Sequence, residues 1–145
     1  MQGFITNSSD VTGITGSIQL SKAILLHEDS SADVFSKALP NSCYLSHLDI
    51  ITDITSGSPT KLTAFLSYDA AGNDVCTGLA EGMTGIAGLT DTSLLSTSVA
   101  LDVYVTRPST QTTEGKLYLH IRHNKASGEI TLKKARLHWV VRETI

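Results

Sequence analysis

The sequence KLYLHIRH at residues 116–123, followed by EITLKKARLHWVV at residues 129–141, decides the fold class. In the first run apolar and polar residues alternate strictly, so its leucines and isoleucine share one face of the chain. Such alternation is typical of a half-buried antiparallel strand. A short polar break containing Gly128 separates the two runs, and we therefore predict that they form a hairpin.

The second run changes the parity of its apolar residues part-way along. Ile130 and Leu132 occupy even positions, whereas Ala135 and Leu137 occupy odd ones. A β-bulge adds one residue to a strand and redirects the side chains that follow it. The sequence therefore predicts a bulge at Lys133-Lys134.

The rest of the chain repeats short apolar runs between polar turns. Ser and Thr make up roughly a quarter of the sequence and aromatic residues 6%, a composition that favours strands and turns over helices. We predict further strands at residues 17–27, 33–39, 42–55, 61–68 and 99–105. The whole pattern predicts an all-β fold, an antiparallel β-sandwich or jelly roll of about eight strands.

The N-terminal residues differ in composition from the strands that follow. They are rich in Ser, Thr, Gly and Asn, so they cannot form a core of their own. Their isolated apolar residues are Phe4, Ile5, Val11 and Ile14. We predict an extended arm at residues 1–16, ordered only where it lies along another surface, and a single β-sandwich domain at residues 17–145.

Charge is unevenly distributed along the chain. Residues 1–102 carry three bases against eleven acids, a net charge of −8, whereas residues 103–145 carry eight bases against three acids, a net charge of +5. Two interpretations stay open: the acidic and basic strands neutralise one another, or a polar face docks onto another copy or a larger partner. The overall net charge of −3 is unlike the basic footprint of a nucleic-acid-binding domain, so we expect no nucleic acid partner.

The sequence also limits the cellular setting. It contains no apolar stretch near the roughly 18 residues that span a bilayer, and residues 1–6 lack the features of a secretory signal. We therefore expect no membrane partner and synthesis in a cytosol. In that reducing compartment Cys43 and Cys76 are expected to be two small buried side chains rather than a disulfide.

Histidines are the first candidates for metal ligands. On a hairpin, His138 would lie roughly 20 Å along the ladder from His120, and His120 and His123 would point to opposite faces. We expect these three to be surface histidines, and we expect His27 and His47 to lack an acidic or cysteine partner at ligand spacing. The sequence therefore predicts no metal site.

Motifs for catalysis are missing from the sequence. The glycines between Gly78 and Gly88 are not followed by the Lys-Ser or Lys-Thr of a phosphate loop, and no Gly-x-Ser-x-Gly occurs. We expect no catalytic residues, no cofactor and no enzymatic activity, although an active site shared between subunits of an oligomer remains an alternative.

Several segments between residues 17 and 142 together resemble a known family. They are ALPNS at 38–42 with the apolar strand up to residue 51, the SGS turn at 56–58, the strand at 61–68 and the closing runs at 116–142. This order of strands and turns resembles the jelly-roll decoration, or cement, proteins of tailed-bacteriophage heads. The resemblance implies a homotrimer on the capsid exterior of the virion that binds the major capsid protein and staples neighbouring shell subunits.

Partner contacts are expected on the arm, which in that family often reaches across the shell, and on the basic C-terminal strands. The residues concerned are Phe4, Ile5, Val11, Ile14, Arg122, Lys133, Lys134 and Arg136. One alternative function is a carbohydrate- or receptor-binding jelly-roll module of a phage tail. The scarcity of aromatic residues counts against it, because sugar sites usually need a ring on which the sugar stacks.

Overall fold

The protein forms nine β-strands in the part of the chain that the structure, a computed structural model, describes. The described residues are 1–15, 22–27, 38–57, 59, 62–71, 74–77, 94–111, 115–123 and 125–141. The strands are β1 (Gln2–Thr6), β2 (Val11–Ile14), β3 (Lys22–Leu26), β4 (Ser42–Ser56), β5 (Leu62–Ser67), β6 (Val75–Thr77), β7 (Leu94–Thr106), β8 (Leu117–His123) and β9 (Glu129–Val140). The all-β class is confirmed. Of the predicted strand at 33–39, residues 33–37 lie outside the described residues.

Two antiparallel sheets enclose one apolar core. The five-stranded sheet has the order β1-β9-β4-β7, with β2 also paired to β9, and the four-stranded sheet has the order β3-β8-β5-β6. Buried side chains from both sheets meet between them, including Leu45, Trp139, Leu66 and Leu119. This arrangement confirms the antiparallel β-sandwich. Over the described residues, no helix has the length and apolar character needed to cross a membrane.

The predicted hairpin between the two closing runs is wrong. β8 pairs with β3 and β5, whereas β9 pairs with β4 on one side and with β1 and β2 on the other. Both edges of each strand are therefore occupied, and the connection between them crosses from one sheet to the other. It passes against the end of β4, where Gly57 and Gly128 come together, both with positive φ angles.

The predicted N-terminal arm is extended and ordered because it lies along β9. β1 pairs with β9 from Gln2 opposite Val140 to Thr6 opposite Arg136. Ile5 and Ile14 are fully buried in the same core as the later strands. Residues 1–15 therefore belong to the five-stranded sheet, which corrects their separation from the sandwich domain.

The bulge predicted in the last strand is confirmed. Ile51 of β4 faces Lys134 and Thr52 faces Leu132, so Lys133 is the extra residue. Asn7, which is 2% exposed, lies beside this irregularity. Its side-chain oxygen accepts a hydrogen bond from Ala135 N at 2.8 Å, and its amide nitrogen donates to Ser9 O at 2.8 Å. The side chain thus completes the hydrogen bonding at the gap between β1 and β2.

Cys43 agrees with its predicted role as a small buried side chain. It is a free cysteine with no solvent exposure. Burial raises the pKa of its thiol to about 11, although the positive charge of Arg107 acts in the opposite direction. The thiol is therefore protonated and unreactive near neutral pH. The side chain of Cys76 lies outside the described residues.

Candidate functional site

A second bulge, in β4, determines which of its side chains face solvent. Pairing with both neighbours shifts at Ser46, between Leu45 and His47. Before the shift Leu45 is buried, and after it Leu48 is buried. The extra residue turns His47 away from the core, as bulges do when they redirect side chains next to binding sites.

The outer face of the five-stranded sheet carries a group of ring-bearing and charged side chains. We define this outer face by Phe4, His47, Asp49, Lys134, Arg136 and His138. His138 lies opposite Phe4 in β1 and opposite His47 in β4, so these three form one row across three strands. Arg136 lies opposite Asp49 in the next row. Side chains in such rows are within contact distance because neighbouring strands lie about 4.8 Å apart.

Two histidines and one carboxylate converge within the outer face. His138 Nε2 lies 2.9 Å from Asp49 Oδ2, and His47 Nε2 lies 3.7 Å from the same oxygen. The two imidazole rings stack with their centroids 4.0 Å apart and an interplanar angle of 13°. Ser46 Oγ lies 2.8 Å from His47 Nδ1, on the other side of the ring.

The electrostatics of this cluster favour a neutral His138 beside an ionised Asp49. Burial and the neighbouring His47 lower the pKa of His138, although Asp49 acts in the opposite direction. Burial alone would raise the pKa of Asp49, but hydrogen bonds with Ser98 and His138 outweigh it and lower that pKa. Near neutral pH the contact is therefore a hydrogen bond from an uncharged imidazole to a carboxylate.

The outer face is open and contains two depressions. One, of about 360 Å³, is lined by Gln2, Phe4, His47 and His138 among others. The other, of about 310 Å³, lies over Asp49, Lys134 and Arg136. The guanidinium of Arg136 lies 5.2 Å from the centre of the Phe4 ring, within the range of a cation–π contact. Charges of both signs and an aromatic ring are thus placed side by side.

The structure separates the residues that we expected to contact a partner. It brings Phe4, Lys134 and Arg136 together on the outer face, and their contact with a partner remains a prediction. Ile5 and Ile14 are fully buried in the core, so they are not available to a partner while β1 and β2 stay in the sheet.

The other three expected contact residues lie elsewhere. Arg122 belongs to β8 and so to the four-stranded sheet. Lys133 is exposed and pairs with Asp10 at 2.8 Å, which raises the pKa of its ammonium group. Val11 is half-buried in β2. The basic surface that we predicted on one hairpin is therefore divided between two sheets.

The expectations for the histidines also need correction. His120 and His123 are 3% and 2% exposed and are not surface residues. His47 does have an acidic partner, because residues two apart on a strand point to the same side and Asp49 is two residues away. The signal was present in the sequence as His-x-Asp within an apolar strand, because Leu48 and Ile50 mark the opposite face as the buried one.

Comparisons with known proteins found only distant structural similarity. No protein-family model and no curated protein matches the sequence. A xylan-binding module, CBM15, is 15% identical with a TM-score of 0.44, over 98% of this chain and 93% of that one. The cyanophage Pam1 capsid asymmetric unit contains a chain 12% identical with a TM-score of 0.45, over 95% of this chain and 83% of that one.

A third solved structure is similar to the same extent. The CBM22-1 xylan-binding domain of Paenibacillus barcinonensis Xyn10C is 12% identical with a TM-score of 0.40, over 97% of this chain and 88% of that one. No residue role in this chain follows from similarities of this size.

A buried serine–histidine pair lies in the four-stranded sheet. His120 Nε2 is 2.7 Å from Ser67 Oγ, and Ser67 Oγ donates a hydrogen bond to Asp69 O at 2.6 Å. Because the serine proton is directed to that carbonyl, we assign the imidazole N–H as the donor to Ser67. A histidine that activates a serine must accept its proton instead. The pair therefore has the hydrogen bonding of a structural contact, and the ring stacks on Phe65 at 4.5 Å.

We expect His120 to make the fold less stable in mild acid. Burial lowers the pKa of His120 from 6.5, although the contact with Asp69 acts in the opposite direction. The unfolded chain therefore takes up a proton at higher pH than the folded chain. The stability that the neutral, buried His120 contributes is complete above pH 6.5. It is lost as pH falls towards the lower pKa of the folded state.

The measurement is urea unfolding at about pH 8 and about pH 5 for wild type and His120→Gln. Glutamine keeps an N–H for Ser67 but does not titrate in this range. The wild type should lose more unfolding free energy between the two conditions than the variant does. Equal losses would show that His120 does not contribute to the acid sensitivity.

Proposed function

We propose that the protein is a non-enzymatic structural component of a phage virion. In this proposal the outer face binds the outside of the head and connects neighbouring major capsid subunits, which stabilises the expanded shell. The observation that carries the proposal is the outer face itself, an open surface on a rigid sheet where Asp49, Lys134 and Arg136 present both signs of charge beside Phe4. Protein-docking surfaces combine aromatic residues and arginine with a polar surround.

The fold supplies the rigidity that such a role requires. The outer face is built on β1, β4 and β9, which lie side by side in one sheet, and the two bulges fix which side chains point outward. Contacts of this kind are individually modest. When several copies bind a repeating shell together, the combined attachment becomes strong because each further contact is effectively intramolecular.

A homotrimer is part of the proposal. Within the described residues, β7 is paired only on its β4 side, so its other edge carries unpaired backbone groups. Proteins usually cover or interrupt such edges. Tyr104, which is 66% exposed, lies on β7. Packing of β7 against another copy would cover both the unpaired edge and this side chain. The solution mass tests this part directly.

Charge reversal on the outer face should weaken capsid binding. We expect Lys134→Glu/Arg136→Glu to weaken co-sedimentation with expanded heads of the cognate phage by about tenfold or more, because opposed charges then become like charges. The matched control is Lys116→Glu/Lys125→Glu, which makes the same change in net charge at two exposed positions away from the outer face. Equal binding by both double variants, or a wild type that stays monomeric and does not bind, would contradict the proposal.

One observation favours a second candidate function, carbohydrate binding. The depression of about 360 Å³ places the rings of Phe4, His47 and His138 next to the polar groups of Gln2 and Ser46. Rings with adjacent hydrogen-bonding groups are the components of a sugar site. A glycan array with wild type and Phe4→Ala separates the two functions. Micromolar binding that depends on Phe4 would favour the sugar-binding module, whereas capsid binding without glycan binding would favour the virion protein.

A further inference from the structure

Three potential ligand atoms for a metal ion lie close together on the outer face. His47, Asp49 and His138 each offer one such atom, and the three atoms lie within 4.8 Å of one another. The Nε2 atoms of both histidines approach Asp49 Oδ2, at 3.7 Å and 2.9 Å. The strand geometry accounts for this. His47 and Asp49 are two residues apart on β4, and His138 lies directly opposite His47 on β9, so all three side chains leave the same side of the sheet.

His47 Nε2 is directed to the same carboxylate oxygen as His138 Nε2. It lies 3.7 Å from Asp49 Oδ2, too far for a hydrogen bond, whereas His47 Nδ1 lies 2.8 Å from Ser46 Oγ. The Ser46 contact accommodates either tautomer of His47, because a hydroxyl both donates and accepts. A metal ion on Nε2 would place the imidazole proton on Nδ1, where Ser46 Oγ accepts it while donating to His138 O at 3.4 Å.

We propose that His47, Asp49 and His138 bind a divalent transition-metal ion of the zinc class. Two imidazole nitrogens and one carboxylate oxygen are ligands that zinc prefers, at about 2.0–2.2 Å from the metal. Water or a partner's side chain completes the coordination. The ion takes the place of the proton that His138 shares with Asp49, and that proton moves to His138 Nδ1, so the imidazole stays neutral.

Binding requires one movement of a side chain. The imidazoles are nearly parallel, so an ion in the plane of one ring lies outside the plane of the other. His47 has room to turn about its Cβ–Cγ bond, because its side chain is 40% exposed and borders the larger depression. Ser46 and Ser98 hold His47 and Asp49 from outside the ligand set, which is the supporting arrangement usual around metal ligands.

The local charge is compatible with a cation, though not strongly attractive. Asp49 supplies one negative charge within the cluster, and the positive charge of Arg136 is near enough to lower the pKa of His138. The imidazoles must therefore supply much of the affinity through their lone pairs. This favours a transition metal, which binds imidazole well, over calcium or magnesium, which prefer oxygen ligands.

The test is a metal titration of the full chain after treatment with a chelator. Zinc is followed by calorimetry and cobalt by its visible absorption, with thermal unfolding measured in parallel. We expect one ion per chain and a rise in Tm on addition of zinc. His47→Ala and His138→Ala should each weaken binding by at least ~10–100-fold, the size of loss seen when even a supporting residue is removed.

A matched control and a folding control make the result decisive. His27→Gln removes a histidine outside the cluster and should leave zinc affinity and the cobalt spectrum unchanged. The three proposed ligands are partly exposed, so the variants should keep the wild-type near-ultraviolet circular dichroism. The proposal is overturned if the wild type shows no saturable binding, or if folded His47→Ala and His138→Ala bind zinc as the wild type does.

Discussion

Gly128→Ala should be among the most damaging single substitutions in the chain, lowering the free energy of unfolding by about 3 kcal/mol or more. Gly128 has a φ angle of +96°, and a Cβ atom there would lie 2.6 Å from Ser56 O and 2.9 Å from Gly57 Cα. Both of these atoms belong to the backbone, so no side-chain rotation can relieve the overlap. The end of β4 and the β8–β9 connection would have to move apart.

Gly13→Ala is the matched control for this substitution. Gly13 also has a positive φ angle, +73°, but a Cβ atom there would meet nothing within 4 Å. Gly13→Ala should therefore lower the free energy of unfolding by only about 1 kcal/mol, the cost of holding alanine at a positive φ angle. Denaturant unfolding of both variants measures the difference. If both variants lost a similar amount of unfolding free energy, the backbones at Gly57 and Gly128 would not be in close contact. The connection from β8 to β9 would then not pass against the end of β4.

The sequence predicts the fold class well but not the partner of each strand. Alternation in residues 116–123 and 129–141 shows that both runs are half-buried strands, because period-two alternation reports burial of one face. It carries no information about which neighbour a strand pairs with. A polar break with one glycine fits a hairpin and a sheet-to-sheet crossing equally well. Pairings with strands distant in sequence separate the two, β8 with β5 and β9 with β4.

The two bulges show why the outer face was only partly predictable. In β9, apolar residues on either side of Lys133 make the change of parity visible. In β4 the same change occurs between Leu45 and Leu48, but Tyr44 has the same parity as Leu48 and Ile50, so the sequence there fits an unbroken strand. Tyrosine has an apolar body and a polar tip, and here its hydroxyl donates to Asp102 at 2.6 Å on the exposed side. The sequence therefore does not reveal this bulge. His47 and Asp49 keep the parity opposite to Leu48 and Ile50, but the sequence does not show that His138 pairs opposite His47.

The N-terminal strands show a further limit of predicting structure from sequence composition. A segment whose fully buried apolar side chains are Ile5 and Ile14 contains too little apolar surface to fold alone, and the prediction of an arm followed from that. What orders it is the edge of β9, which offers backbone partners to β1 and β2. Asn7 bridges the interval between these strands at the bulge. Sequence composition cannot show such an edge, because it is created by distant residues.

Asn7→Ala should therefore destabilise the fold by about 2–3 kcal/mol, a large effect for a polar residue. Removal of the side chain leaves Ala135 N without its 2.8 Å acceptor and Ser9 O without its 2.8 Å donor. Asn7 is 2% exposed, so water cannot readily replace these bonds. Urea unfolding measures the loss. The matched control is Ser8→Ala at the neighbouring exposed position, which should change stability by no more than about 0.5 kcal/mol.

Asn7→Asp separates the two halves of the Asn7 contact. Aspartate can still accept the hydrogen bond from Ala135 N, but it can no longer donate to Ser9 O, and its carboxylate would face that carbonyl oxygen. We expect Asn7→Asp to be destabilising at neutral pH and to recover part of the loss in mild acid, where protonation restores a donor and removes the charge. A loss independent of pH would place the carboxyl group in water. In that case Asn7 would not be the residue that joins β1 and β2 to the bulge of β9.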